Sequence, residues 1–315
     1  MNPELRQLAD EYWEYVLRTQ PTNAHMLGDY RYVDQVEDAS REAEDAHIGH
    51  LRSFAAKARA FDPADLDAAD RVTQDTLIYE TETAAGFEEL RQAEFGIDPI
   101  FGPQAVFQVA IPQMSVETPE HAEKMLTKYS GIARLLDQLS ERLREGVRAG
   151  RVNAEFAVTK TVEQIDAMLA SPVEDDVFLR AQMPAAFDES DVAAWRERAA
   201  AIVTDELRPA FGRYRDVIRD EVGPIARSNE EAGLTFVPNG DLLYVRLIEK
   251  YTTMPMQAAE IHEIGLQQID RLAEEYLELA GPLLGTTSLE DIFTALRDDP
   301  ELHHTTGEGV VAQSE

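Results

Sequence analysis

The chain has 315 residues, 44% of them hydrophobic, which is enough to bury a large core without covalent staples. It contains no cysteine, so disulfides, thiolate zinc ribbons and thiol catalysis are excluded. Sixty acidic residues against 29 basic ones give a net charge of -31, which repels phosphate backbones and argues against nucleic-acid binding.

The amino-terminal stretch Met1 to Val16 lacks the basic patch and apolar run of a signal peptide, and no stretch of about 18 apolar residues occurs. A cytoplasmic protein with no membrane partner is the expectation. Asn2 as cap and Pro3 as first residue open a helix to about Leu17, with Leu5, Leu8, Tyr12, Tyr15 and Val16 on one face. Two further helices are predicted over Arg41 to Phe61 and Asp67 to Leu90, divided by Asp62-Pro63. The segment Phe95 to Met114 is apolar but broken by Gly96, Pro99, Gly102 and Pro103, and reads as an irregular segment packed on the body: a buried connector is the more frequent role for such a segment, a contribution to a cleft the alternative.

From Thr118, the residues Met125, Tyr129, Ile132, Leu136, Leu139 and Leu143 step by three and four, which makes one buried seam. Thr118 caps it, Pro119 opens it and Gly150 lies near its end. The least helical gap, Ser171 to Asp188, is the expected joint between lobes of about 1–180 and 181–315. After Ser190 the helical pattern runs toward Pro209, where a kink or break is predicted, and resumes from Phe211 to Val222. Later helices are expected over Met256 to Ala280 and from the Ser288 cap to Leu296. With no strand pattern, the fold class is all-α: a large multi-helix body.

Chemistry is harder to find. No phosphate loop, dinucleotide turn or nucleophile elbow is present. His47 and His50 share a helix face without a third ligand, His303 and His304 read as a solvated turn, and the acidic pairs carry no glycosidase geometry. Pro238-Asn239-Gly240-Asp241 is a strong turn signal. The residues after it, Tyr244, Thr252, Thr253 and His262, are the candidates for substrate contact, with His262 a hydrogen-bond donor to a carbonyl. His262-Glu263 starts a His-Glu-x-x-His pattern, but Leu266 stands where the second imidazole belongs.

The ordered set Pro21-Thr22-Asn23-Ala24-His25-Met26-Leu27-Gly28-Asp29-Tyr30-Arg31, then Pro238-x-Gly240-Asp241 with Tyr244, Thr252-Thr253, Glu260-Ile261-His262 with Gly265-Leu266, and Leu296 to Pro300 resembles the bacterial domain-of-unknown-function 885 family. That resemblance implies a gluzincin-like helical metallopeptidase body. Gln257-Ala258 departs from the Thr-Pro expected there. The resemblance also implies zinc held by a downstream His-Glu-x-x-Pro-Gly-His-His motif, which these 315 residues do not contain, so no cofactor is assigned to this chain. The reading that follows is the N-terminal portion of such a protein, walling a cleft for a peptide and inactive alone. The alternative is a non-catalytic helical module that pairs with a separate C-terminal polypeptide or forms a homo-oligomer.

Overall fold

The computed structural model describes residues 2–314, and they are helical nearly throughout. Among the described residues the extended pairing is limited to two isolated parallel bridges, Ser115 with Gln182 and Ala154 with Arg227, so the class is all-α. The chain divides into two compact units, Met1–Lys250 and Tyr251–Glu315. The division does not fall near residue 180. That stretch is held inside the first unit because the Phe178 side chain is buried and the Tyr129 hydroxyl donates to its carbonyl at 2.7 Å.

The first unit contains α1 (Pro3–Thr19), α2 (Pro21–Met26), α3 (Arg41–Arg59), α4 (Ala68–Glu88), α5 (Pro103–Gln113), α6 (Pro119–Ala149), α7 (Glu155–Ala170), α8 (Glu189–Ile202) and α9 (Arg208–Asp216), and most of α10 (Gly240–Thr252). Local chemistry sets the predicted starts. Asn2 Oδ1 accepts from the Glu4 and Leu5 amides, and Thr118 Oγ1 accepts from the His121 amide at 3.1 Å. At the far end of α6, Gly150 adopts φ +70 and the Arg151 amide donates to the Gly146 carbonyl at 2.9 Å, a left-handed stop that only glycine adopts without strain.

The long α6 is the axis of the core. Met125, Tyr129, Ile132, Leu136 and Leu143 are buried on it, and Leu139 is partly buried against the same cluster. Trp195 from α8 packs edge-on to Tyr129, and its indole N–H donates to the Ala122 carbonyl at 2.8 Å. Burying such side chains contributes about 1.5–3 kcal/mol each.

Two sequence expectations change. The predicted break at Pro209 does not occur: the chain stays helical, with wide π turns over Val203–Leu207 and Val217–Val222 flanking α9. A π turn takes in an extra residue, which re-phases the backbone around a proline that cannot donate. The segment Phe95 to Met114 is only partly irregular, since Pro103 opens α5.

The second unit consists of α11 (Ala258–Leu284), α12 (Leu289–Asp298) and α13 (Gly307–Ser314), together with the final residues of α10. Ser288 caps α12 as expected, and Ile292 is fully buried, with Tyr276 and Phe293 in edge-on contact at 5.1 Å.

Candidate ligand cleft

The first unit carries an apolar cavity of about 540 Å³. Its floor is Phe107 of α5, Leu135, Leu139 and Leu143 of α6, and Tyr214 of α9. Its lip is the segment that the sequence marked as apolar and broken: Gly96, Phe101, Gly102, Pro103 and Val106. Asp98 shapes that lip, because its carboxylate accepts from the Ile100 and Phe101 amides at 2.6 and 2.9 Å while its carbonyl accepts from the Gly102 amide. A Cβ at Gly102 would stand 2.3 Å from the Asp98 carbonyl oxygen, so the turn needs glycine. The consequence is that Ile100 and Phe101 project outward, 69% and 77% exposed.

Opposite the lip stand polar groups. The Glu37 carboxylate accepts from the Thr22 amide at 3.0 Å and from the Thr22 hydroxyl at 2.8 Å, so the start of α2 is tied to the loop before α3. Gln20, Thr22, Asn23 and Glu37 form this rim. An apolar chamber with a few convergent polar groups is the usual form of a small-ligand site.

A second cavity, of about 590 Å³, shares Gln20, Glu37 and Ala93 with the first and has more charged side chains in its lining, among them Arg18, Asp38, Glu44 and Glu88. His47 Nδ1 lies 2.6 Å from the Tyr15 hydroxyl, and the His50 ring donates from Nδ1 to the Ala46 carbonyl. The Tyr15 ring stacks on both imidazoles. Burial, and then His50, hold the His47 pKa below its ordinary value. The wall behind is an ion-pair network: Glu94, with its side chain fully buried, binds Arg41 and Arg151, while Arg142 reaches Glu44 and Glu145 at 2.5 Å.

The loop over residues 33–39 is fastened to α6 by Lys128, whose ammonium is fully buried and donates to the Gln35 carbonyl. Burial pushes its pKa down to about 8 despite Glu37 and Asp34. The folded state therefore disfavours the charged form: the penalty is complete below pH 8 and disappears as pH rises toward 10.5. Lys128→Met should stabilise the protein by roughly 1–2 kcal/mol at pH 7, after about 1 kcal/mol is lost at the orphaned Gln35 carbonyl. Urea melts of the two proteins from pH 7 to 10 should show that advantage shrinking and then reversing. A gap independent of pH would contradict it.

The residues singled out from sequence lie elsewhere. Tyr244 sits on α10 in the first unit, 44% exposed, and lines neither cavity. Thr252, Thr253 and His262 belong to the second unit. The Thr252 hydroxyl donates to the Met254 carbonyl at 3.0 Å and accepts from its amide, and Thr253 has φ +59, so this pair forms the turn that ends α10. His262 is exposed on α11. Among the described residues no group of three or more His, Cys, Asp or Glu side chains is placed to hold a metal ion, and Leu266 occupies the position of the second zinc ligand. The residues present do not fit a zinc site.

The family-like segment near the amino terminus has a structural role as well as a place at the cleft. His25 is buried and donates from Nε2 to the Ser115 carbonyl, and the Tyr30 hydroxyl bonds the Ser115 hydroxyl at 2.8 Å, so the segment anchors the start of α6. Gln20, Glu37, Glu44 and Glu88 were not marked by the sequence, because acidic and amide residues are everywhere in this chain and only tertiary contact distinguishes these four.

The model of the family described as bacterial protein of unknown function (DUF885) matches residues 21–314. The chain belongs to that family. No curated protein matches the sequence. Among solved structures, this DUF885 chain is similar to the crystal structure of the "putative lipoprotein" from Colwellia psychrerythraea, with a TM-score of 0.86 at 17% identity. The match covers 98% of this chain and 57% of that one, so the present chain spans little more than half the length of its structural relative. At this identity the likeness shows the fold alone. No helix of the described residues is long and apolar enough to cross a membrane.

Proposed function

We propose that this chain is the substrate-holding helical portion of a metallopeptidase-like protein, in which the apolar cleft of the first unit receives a bulky apolar side chain of a peptide. The observation that carries this reading is the 540 Å³ chamber between α5 and α6, with polar groups on one rim only. The peptidase part of the proposal rests on the DUF885 resemblance, and the reaction centre it implies lies outside these 315 residues. The chain alone is then a binder without hydrolytic activity.

Isothermal titration calorimetry with short apolar peptides tests the cleft. Leu139→Trp fills the chamber from a wall that is only partly buried, and it should weaken binding by at least about tenfold while the melting temperature stays near that of the wild type. Equal affinity in the variant would remove the chamber from the proposal. Stoichiometric zinc that survives dialysis and is lost in His262→Ala would overturn the absence of a reaction centre.

A second reading, a docking module, is favoured by α11. This helix of 27 residues, about 40 Å long, buries only Gly281, while Ile269, Leu279 and Leu283 are 63%, 70% and 85% exposed. The occupant proposed is a separate C-terminal polypeptide of the same family, a reading supported by the match covering only 57% of the solved relative. A DUF885 C-terminal segment co-expressed with this chain should co-purify with it, and Ile269→Asp should abolish the pairing. A stable homodimer buried through α11 would assign the face to a second copy instead.

A further inference from the structure

We propose that the two adjoining cavities of the first unit form one site for a ligand joining an apolar group to an ammonium, such as the free amino terminus of a peptide beginning with a bulky apolar residue. This rests on the cleft reading above and names what the polar half recognises. The two cavities share Gln20, Glu37 and Ala93 in their linings, and the proposal is that a molecule seated on Leu139 and Phe107 reaches past Glu37 into the second chamber.

The second chamber is built to accept hydrogen bonds. Four carboxylates line it, Glu37, Asp38, Glu44 and Glu88, against the single guanidinium of Arg18. Glu37 and Asp38 are engaged by Thr22, Ser40 and Gln138. Glu44 is different: its side chain is 9% exposed, every ion pair it makes with Arg41, Arg91 and Arg142 ends on Oε2, and its Oε1 is buried with no hydrogen-bond partner. A buried carboxylate oxygen without a donor is costly, and a turn of the Glu44 side chain that opened Oε1 to the chamber would let a ligand's donor remove that cost. Glu88 stands on the same wall. Burial, and then Glu44, raise its carboxyl above the ordinary range, against the opposing pull of Lys250, Arg142 and Arg91.

An ammonium supplies three donors and no acceptor, matching a wall of acceptors. A phosphate or carboxylate head would be repelled. A bare metal ion has no ligand set here, since no three of these side chains converge for one. The net charge of -31 adds a general attraction for cations.

Calorimetry at pH 6.5, where a peptide amino terminus is protonated, decides the matter with three probes: Phe-Leu-amide, its N-acetyl form, and Gly-Gly-amide. Phe-Leu-amide should bind, and both acetylation and loss of the apolar side chains should weaken binding at least about tenfold. Glu88→Gln should bring Phe-Leu-amide down to the affinity of the acetylated form and leave the acetylated form unchanged. Equal binding of the free and acetylated peptides overturns the ammonium site while leaving the apolar cleft standing. Binding of none of the three defeats the cleft itself. A Glu88→Gln protein that weakens both apolar peptides equally overturns the assignment of the polar half.

Discussion

Glu94→Gln should destabilise the first unit by about 3–5 kcal/mol in urea or thermal unfolding. The carboxylate is fully buried and is shared by Arg41 and Arg151, with Arg142 a further 3.8 Å away. Removing its charge takes from Arg151 the carboxylate it pairs with and weakens the buried cluster around Arg142, which is 1% exposed and keeps Glu44 and Glu145. The neighbouring residue, Ala93, lines both cavities, so the same change should loosen the surface they share. Arg52–Glu89 is the matched control: each side chain is nearly half exposed, and Glu89→Gln should cost about 0.5 kcal/mol or less. Comparable losses in the two variants would refute the ranking of buried over exposed pairs.

Where the sequence was legible, the physics was local. Asn2, Asp67, Thr118 and Ser288 cap their helices with their own side chains, and each marked start lies within a residue or two of the observed one. Where it was not, the stabilising partner is distant. Helix α7 starts at Glu155, and Ala154 before it offers no side-chain cap. Its first amides are satisfied instead by the Arg227 carbonyl and the Asn229 side chain, more than 70 residues away. Helix α10 was hidden behind a turn signal that is itself correct: Asn239 adopts φ +62, and the helix begins at once after it. At Pro209 the rule that proline ends a helix was overridden by π turns on either side of α9.

The cleft shows the same limit more sharply. One part of it, the lip from Gly96 to Val106, announces itself as an apolar run with too many breakers for a regular element. The floor comes from α6 and α9 and the acceptor wall from α1, α3 and α4, and no spacing rule links Tyr15, Glu44, Glu88 and Leu139. The sequence instead drew attention to Thr252 and Thr253, whose conformations serve a turn.

The closeness of that wall to α6 gives a second large effect. A Cβ at Gly146 would lie 1.9 Å from the Glu94 carbonyl oxygen and 2.8 Å from that of Arg151. Both obstacles are backbone, so no side chain can rotate away. Gly146→Ala must push the Gln92–Phe95 turn off α6, breaking the setting of Glu94 and the left-handed stop at Gly150 together. We expect a loss of about 3 kcal/mol or more, above the usual helix gain for alanine. Gly49, exposed in the middle of α3, has nothing within 4 Å of the same added atom. There Gly49→Ala should stabilise the protein by roughly 0.5–1 kcal/mol. The two substitutions are chemically identical, so opposite signs in parallel melts would isolate the close approach at Gly146 as the cause. Two small shifts of the same sign would mean that the turn carrying Ala93 and Glu94 yields easily, and the surface both cavities share at Ala93 would then not be a rigid element.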